Sequence, residues 1–518
     1  MSLDPTVYGD MLLSLLPELV LTGWALVLLL FVAWRHQTAR DLRVAGWLTL
    51  LALVSTAVAV WWLWWRRAGV AGIATMIAVD DFRFVVDWIV LGAAALTVLI
   101  SFAYLERERL LAPEYFVLLV FATVGMMVMA AGADLMVIFL GLELMSVAVY
   151  VLAGFDRRRA RSAEAALKYF LLGAFASGFL LYGIALIYGA TGTTNIGLIG
   201  AQIGFMGRPS TMLLAGLGLL IVGFGFKVAA VPFHMWAPDV YDGAPTPVTA
   251  FMATGVKAAA FTALFRVVLQ AFGGVSAWHD ILWWLAVVTM IGGNLFALGQ
   301  RSLKRMLAYS SVAHAGYLLV AVTAGAHATG GNAGTSAFLV YVVAYTLMTV
   351  GAFAVLGAKG RNGESDVLID DFAGLAQRRP WLAFALAICM LSLLGFPGTA
   401  GFIGKWYILM AATSVGQNAL AVILVLTSVI SAGYYLPVIM AMYMKPESIE
   451  AAHVDAVLDR WGRTALAVAV AGLLIFGVWP NRLFDLSRTA GNSVQPAATS
   501  TASPPVIQAP GPISAGSH

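Results

Sequence analysis

Residues 226–257 read FKVAAVPFHMWAPDVYDGAPTPVTAFMATGVK, and long apolar segments flank this stretch on both sides. It places Lys227 and Lys257 at the depth of membrane-spanning helices. A charged lysine at mid-membrane costs about 2.5–3.5 kcal/mol, so such residues usually face a protein interior or a water-filled cavity. Snorkelling to an interface fits poorly, because neither lysine lies within a turn of a predicted helix end. Pro232 lacks a backbone donor and therefore predicts a helix break beside Lys227, an arrangement that many transporters use for ion sites.

The composition indicates a polytopic membrane protein. Of the 518 residues, 61% are hydrophobic and 11% are charged, whereas soluble domains average about 25% charged. The single cysteine, Cys389, excludes a disulfide framework, a thiolate metal site and a cysteine-ligated cluster. The net charge of +4 needs no nucleic-acid partner, because the basic residues lie in short loops. The N-terminus has no positively charged n-region, so we expect no cleavable signal peptide.

Windows of about 20 apolar residues predict an all-α polytopic protein with fourteen transmembrane helices. The predicted spans are 11–33, 44–65, 84–104, 114–132, 134–154, 164–189, 211–237, 246–272, 280–299, 303–325, 335–358, 380–414, 418–444 and 461–480. As one helix the twelfth span would be about 50 Å long, too long for a hydrocarbon core of about 30 Å. Its centre, MLSLLGFPGTAGFIGKW, contains Pro397. We therefore expect breaks within the bilayer in span 7 near Val228–Pro232 and in span 12 near Phe396–Gly401.

The distribution of basic residues predicts the orientation of the chain. Of the 25 lysines and arginines in the loops or at span ends, 19 lie on the side of the loops that follow odd-numbered spans, and six lie on the other side. Because cytoplasmic loops carry the excess of basic residues, both termini should be outside. In a bacterium the chain would then lie in the inner membrane with both termini in the periplasm.

The order of the spans predicts an inverted repeat. Helices 4–8 and 9–13 form two units of five, and an odd number of spans places the units in opposite orientations. The broken helix is the fourth of each unit, with Lys227 in helix 7 and Lys405 in helix 12. The predicted regions are the N-terminal helices 1–3 (1–113), the first repeat (114–272), the second repeat (273–445), helix 14 (446–489) and a disordered tail rich in Pro, Ser and Ala (490–518).

Seven ionisable residues inside the spans are candidates for a proton channel. They are Glu143, Lys168, Lys227, His234, Lys257, His314 and Lys405. A lysine in a desolvated site loses its proton more readily than in water, and a nearby carboxylate opposes that loss. Histidine suits a proton relay because it titrates near neutral pH. Sodium would need clustered oxygen ligands instead, and mid-membrane carboxylates are nearly absent.

Each candidate also has a structural interpretation that the sequence leaves open. Glu143 could form a structural salt bridge, and Lys168 lies only about 8 Å inside its helix. His234 could be a loop-facing cap, and His314 a hydrogen-bonded core residue. Two further charged residues, Arg266 and Asp87, lie near helix ends, where an interfacial position is expected.

The segments FHMWAPDVYDGAPTPVTAFMATGVKAAAF and MLSLLGFPGTAGFIGKW resemble signature segments of the antiporter-like membrane subunits of respiratory complex I, the proton-translocating NADH:quinone oxidoreductase. The resemblance covers nearly all spans. Fourteen spans without a long C-terminal lateral helix argue against the L type of subunit. Lys405 stands where the M type carries a glutamate, so the chain resembles the N type.

This resemblance implies a role for each residue. It makes Glu143 and Lys168 the charged pair of helices 5 and 6, and Lys227, Lys257 and Lys405 the lysines of helices 7, 8 and 12. His234 and His314 resemble residues of the polar axis.

The resemblance also implies that the chain is a translocase subunit that moves protons from cytoplasm to periplasm and holds no cofactor. FMN, iron–sulfur clusters and quinone would belong to partner subunits. The partners would be a neighbouring M-type subunit, the small membrane subunits and the lipid bilayer. A subunit of a multi-subunit cation/proton antiporter is the alternative, because such subunits share these motifs. A permease for an organic solute is a third possibility, which the lack of a substrate-shaped polar cluster disfavours.

Overall fold

The computed structural model describes residues 5–35, 38–66, 76–206, 208–325, 332–358, 367–446 and 458–494. Within these ranges the chain is helical, and its β-structure is limited to three isolated bridges. The predicted tail begins at residue 490, two residues before the last helix ends, and its part from 495 onward lies outside the described residues.

Twenty α-helices make up the described residues. They are α1 (Pro5–Ser14), α2 (Leu16–Trp34), α3 (Ala39–Arg66), α4 (Asp81–Arg107), α5 (Glu114–Ala131), α6 (Leu135–Ala153), α7 (Ala160–Thr191), α8 (Ile196–Phe205), α9 (Thr211–Val228), α10 (Trp236–Gly243), α11 (Thr246–Ala271), α12 (Ala277–Leu298), α13 (Leu303–Gly325), α14 (Ala333–Ala358), α15 (Leu375–Arg378), α16 (Pro380–Leu394), α17 (Ala400–Ser414), α18 (Asn418–Met444), α19 (Arg460–Val478) and α20 (Asn481–Asn492).

Thirteen of these helices are long and apolar enough to cross a membrane, within the part of the chain that the structure describes. The predicted span 12 is present as two helices of 15 residues each, α16 and α17. The all-α polytopic fold is therefore confirmed. The count of fourteen spans and the inverted repeat stay predictions.

Both predicted helix interruptions are present. Helix α9 ends at Val228, and the chain resumes a helix only at Trp236, with Pro232 between them. The second break separates Leu394 from Ala400. It starts at Gly395, whose φ of 90° lies in the left-handed region that favours glycine. That the breaks lie within the bilayer stays a prediction.

Helix α11 contains two π-helical turns that the sequence did not indicate. They cover Met252–Val256 and Val267–Ala271. The first ends immediately before Lys257. Such turns are frequent at functional sites, because the extra residue shifts the direction of the side chains that follow.

The core of the protein is formed by α11, α13 and α14, whose apolar segments are almost wholly buried by other helices. The outer helices, such as α2 and α19, are buried on one side only. Lys257 and His314 therefore lie at the centre of the molecule, away from the lipid-facing surface.

Two helix pairs approach each other closely through glycine. A side chain at Gly125 of α5 would lie 2.4 Å from the backbone nitrogen of Met145 in α6. A side chain at Gly293 of α12 would lie 2.4 Å from the backbone nitrogen of Ala313 in α13. Small residues allow this kind of backbone contact between membrane helices. The contacts hold α6 against α5 and α13 against α12, and α6 and α13 carry the serines that bind Lys227 and Lys257.

Candidate functional site

Lys227 lies in the last turn of α9 and is almost fully buried. Its Nζ donates hydrogen bonds to Ser146 Oγ at 2.6 Å and to Tyr150 Oη at 3.1 Å. It also lies 5.1 Å from the ring centroid of Tyr150 and 5.8 Å from that of Tyr169. The negative end of the α9 dipole adds to this stabilisation of a cation. Neutral groups thus hold the ammonium within hydrogen-bonding distance.

Glu143 lies one turn before Ser146 on α6 and is half-buried. It accepts a hydrogen bond from Ser177 Oγ of α7. It is close enough to act electrostatically on Lys227. The structure therefore places Glu143 and Lys227 in one cluster, whereas the resemblance paired Glu143 with Lys168.

Lys168 does not join Glu143, although the resemblance implied a charged pair. Its Nζ lies 2.7 Å from Glu164 Oε1 and 2.9 Å from Asp239 Oδ2, and 41% of its side chain is exposed. The residue of α7 that contacts Glu143 is Ser177, nine residues after Lys168. At a rise of 1.5 Å per residue this places Lys168 about 14 Å along the helix from Glu143. Lys168 thus belongs to an ion cluster near one end of the helices.

Lys257 follows the first π-helical turn of α11 and is buried. Its Nζ donates hydrogen bonds to the backbone oxygen and to the Oγ of Ser311 in α13, both at 2.6 Å. Tyr345 of α14 donates a further hydrogen bond to the same Oγ at 2.8 Å. Lys257 is therefore bound to the core helix that also carries His314.

His314 lies one turn after Ser311 on the same face of α13. Its Nδ1 is 2.5 Å from Tyr341 Oη, and its Nε2 is 3.1 Å from Tyr435 Oη. Tyr435 in turn shares a hydrogen bond with Ser310. Each of these hydroxyl groups can both donate and accept a proton. His314 is thus hydrogen-bonded on both ring nitrogens, one turn from the residue that binds Lys257.

Lys405 lies in the second turn of α17, and its buried side chain reaches back across the break to the end of α16. Its Nζ donates to the backbone oxygens of Leu393 at 3.0 Å and Leu394 at 2.9 Å. These carbonyls end α16 and have no partner within that helix. Nζ also lies 4.8 Å from the ring centroid of Tyr317. Because Tyr317 follows His314 by one turn on α13, Lys405 adjoins the same row of side chains.

His234 lies in the break between α9 and α10, as expected of a residue just after Pro232. Its ring stacks on Phe296 of α12 with centroids 6.1 Å apart. Its Nδ1 has no hydrogen-bond partner among the described residues. The structure therefore does not connect His234 to any of the three buried lysines by a contact that it describes.

The hydroxyl groups that bind the lysines were not among the residues predicted from the sequence. On α6, Ser146 and Tyr150 follow Glu143 at intervals of three and seven residues, and on α13 Ser311 precedes His314 by three. This spacing places them on the same helix faces as the charged residues. Helical periodicity counted from each ionisable residue would have indicated them.

Arg266 and Asp87 are near helix ends, but both are buried within the protein and do not face an interface. Arg266 binds Asp80 through two bonds of 2.6 and 3.0 Å. Arg83 binds Glu18 through two bonds of 2.7 and 2.8 Å, and its Nε lies 3.5 Å from Asp87. We call these five residues the buried ion cluster. Position along a helix gives depth in the membrane, whereas the side that a residue faces depends on helix packing.

Across the ranges that the structure describes, no three His, Cys, Asp or Glu side chains form a group that could hold a metal ion. The chemistry that the arrangement itself supports is proton exchange. Buried amines, hydroxyl groups and an imidazole are present on neighbouring helices, and each can take up or release a proton.

Comparison with known proteins agrees with this arrangement. Residues 132–431 match the family described as NADH:quinone oxidoreductase/Mrp antiporter, TM. The chain is 46% identical to NADH-quinone oxidoreductase subunit N of Gemmatimonas aurantiaca, over 96% of this chain and 97% of the relative. It is 47% identical to the protein of the same name from Trichlorobacter lovleyi, over 92% of this chain and 96% of the relative.

Solved structures show the same fold. A chain of respiratory complex I from Thermus thermophilus with bound aureothin matches with a TM-score of 0.75 and 34% identity, over 91% of this chain and 99% of that chain. A chain of the Mrp complex from Dietzia matches with a TM-score of 0.79 and 23% identity, over 93% and 97%, which supports the fold alone. The predicted resemblance is confirmed, and the chain belongs to the NADH:quinone oxidoreductase/Mrp antiporter family of membrane proteins.

Proposed function

We propose that this chain is the N-type, proton-translocating membrane subunit of an NADH:quinone oxidoreductase. The observation that carries the proposal is the set of three buried lysines, each held by uncharged oxygen atoms. In these contacts Lys227 binds hydroxyl groups, Lys257 binds Ser311 and Lys405 binds backbone carbonyls. A lysine in such a site can release its proton without leaving a directly bonded carboxylate alone in a low-dielectric interior. This property suits a carrier that cycles between charged and neutral forms.

The proposed pathway consists of two clusters of neighbouring side chains. The first contains Glu143, Ser146, Tyr150 and Lys227. The second contains Lys257 with Ser311, His314 with its two tyrosine partners, and Lys405, which contacts the ring of Tyr317. None of the hydrogen bonds within the described residues joins Lys227 to Lys257. We propose that transfer between the two clusters is the step at which the protein controls proton flow.

Lys168 takes a different part in this proposal. Together with Glu164, Asp239 and Arg305 it forms an ion cluster, with Arg305 Nη2 3.0 Å from Asp239 Oδ1. The basic residues concentrate on this side of the protein, which the positive-inside rule assigns to the cytoplasm. Both termini are then periplasmic. We propose that Lys168 acts as a fixed charge at the proton entrance and that protons leave on the periplasmic side of the bacterial inner membrane.

The chain supplies proton transfer, and partner subunits supply the redox chemistry. FMN, iron–sulfur clusters and quinone would be bound by those partners, with no cofactor in this chain. A neighbouring M-type subunit and the small membrane subunits would contact it directly. The relatives named NADH-quinone oxidoreductase subunit N match at 46 and 47% identity over more than nine-tenths of the chain, whereas the Mrp chain matches at 23%. The difference favours the redox-linked complex over the cation/proton antiporter.

The test is a deletion strain complemented with the tagged gene. We expect purification through the tag to recover NADH-oxidising subunits, and membranes to couple NADH oxidation to proton pumping. Recovery of other membrane subunits without NADH oxidation, together with restored sodium tolerance in antiporter-deficient cells, would overturn the proposal in favour of the antiporter. A matched strain carrying Lys227→Ala should assemble the complex and lose pumping.

A further inference from the structure

A groove of about 720 Å³ opens between α16 and α19, on a part of the surface that the proton pathway does not use. Both helices begin at the same end of the groove, α16 at Pro380 and α19 at Arg460. The described residues that line the groove include three arginines and no acidic residue. The arginines are Arg378, Arg379 and Arg463. They gather where the helices begin, so positive charge is confined to one end.

The start of α19 is capped by Asp459, whose Oδ1 accepts a hydrogen bond from Gly462 N–H at 2.8 Å. The positive charge at this end of the groove therefore comes from the arginine side chains. Guanidinium groups bind phosphate oxygens through two parallel hydrogen bonds. The charged end of the groove therefore suits a phosphodiester group better than an uncharged apolar ligand.

The rest of the groove is apolar and has the length of one membrane leaflet. Its α19 wall runs from Arg463 to Leu474, which is about 17 Å at a rise of 1.5 Å per residue. Half of a hydrocarbon core of about 30 Å is about 15 Å. The floor contains small residues, among them Ala467 and Ala471, which leave room between the two helices. An extended acyl chain fits this length and polarity.

Aromatic side chains mark the level of the membrane surface. Trp381 is 80% exposed and Phe384 is 42% exposed, and both line the groove on α16. Tryptophan is enriched where hydrocarbon meets the headgroup region. Its place next to Arg379 sets the charged end at headgroup depth, with the apolar part below it.

We propose that this groove binds an anionic phospholipid, with its phosphate at Arg378, Arg379 and Arg463 and an acyl chain between α16 and α19. The proposal goes beyond the proton-translocating function and does not depend on it. A bound lipid would support α16, the half-helix whose terminal carbonyls hold Lys405. It would thereby stabilise the second broken helix from outside.

The experiment uses the intact complex purified in mild detergent, with phosphatidylglycerol and phosphatidylethanolamine counted by native and lipid mass spectrometry. We expect Arg379→Gln/Arg463→Gln to lose one tightly held anionic phospholipid per complex. Ala471→Trp, which fills the floor without changing charge, should lose the same molecule. The control Arg40→Gln/Arg157→Gln removes two exposed arginines outside the groove and should retain it.

A photoreactive residue at position 471 identifies the occupant directly. Cross-linking to a phospholipid supports the proposal. Cross-linking to a protein segment, unchanged lipid content in both groove variants, or equal loss of the two lipid classes would overturn it. Because Ala471→Trp keeps all three arginines, a folding defect of the arginine variant would leave the test intact.

Discussion

Lys227→Arg keeps a cation at the end of α9 but removes the group that can release a proton there. Arginine can still donate to Ser146 and Tyr150, which Lys227 reaches at 2.6 and 3.1 Å. Lys227→Ala removes both hydrogen bonds, and bonds that involve a charged group contribute about 1.5–3 kcal/mol each. A purely structural lysine should therefore tolerate arginine far better than alanine.

A proton carrier behaves differently, because the neutral form is an obligatory intermediate. The ordinary pKa values are about 10.4 for lysine and at least about 12.5 for arginine, so neutral arginine is about 100-fold scarcer near neutral pH. We expect proton transfer through Lys227 to slow by at least that factor. Lys227→Arg should then pump as poorly as Lys227→Ala.

The assay compares NADH-driven quinone reduction and proton pumping in membranes adjusted to equal complex content. Lys168→Arg is the matched control, since Lys168 is held by two carboxylates at a partly exposed site. Arginine preserves those ion pairs, so this variant should pump nearly normally. Near-normal pumping by Lys227→Arg, beside an inactive Lys227→Ala, would show that Lys227 supplies a fixed electric field and carries no proton.

Four further predictions concern other parts of the structure. Glu143→Gln removes the anion that stabilises the protonated form of its cluster, so pumping should fall more than assembly does; a parallel loss of assembled complex on native gels would make Glu143 a structural brace. Arg266→Ala removes the guanidinium partner of Asp80, whose side chain is 15% exposed, and should lower the thermal midpoint of the purified complex, because breaking a largely buried ion pair costs up to about 3–5 kcal/mol. Asp87→Asn should leave that midpoint nearly unchanged or raise it, because the buried ion cluster has three carboxylates for two guanidinium groups; a drop as large as that of Arg266→Ala would refute this charge count. Gly395→Ala places a residue with a side chain in the left-handed region at φ 90°, which costs about 1–2 kcal/mol. This variant should lower both proton pumping and NADH oxidation, while the amount of assembled complex stays unchanged; wild-type rates would show that the break tolerates repositioning.

Composition and proline placement were enough to predict the membrane fold and both helix breaks. The apolar flanks of Lys227 require that this lysine lie within a membrane span. The excess length of span 12 requires that it be interrupted. Both requirements come from local sequence and the thickness of a bilayer. The lysines of the site could be predicted for the same reason, because burying a charge in hydrocarbon is costly wherever it occurs.

The partners of those lysines depend on tertiary packing and could not be read in this way. The pairing of Lys168 is the clearest case, because two adjacent helices can be offset along their axes by different amounts. Only the structure shows that Ser177, and not Lys168, lies opposite Glu143. The burial of Arg266 and Asp87 depends on which side of each helix is covered by its neighbours. The π-helical turn before Lys257 has no residue pattern of its own and follows from the packing of α11 in the core.

The hydrogen bonds of Lys405 have a mechanical consequence. Its ammonium binds the last two carbonyls of α16 across the non-helical segment that separates the two half-helices. The stability of this joint therefore depends on whether Lys405 is charged. A neutral amine loses one donor and the attraction to the negative helix end, so the joint is weaker in that state. By thermodynamic reciprocity, any force that bends the joint must alter the proton affinity of the amine by the same free energy. A push from a neighbouring subunit on α16 or α17 can therefore be converted into the release or capture of a proton without direct contact with the lysine.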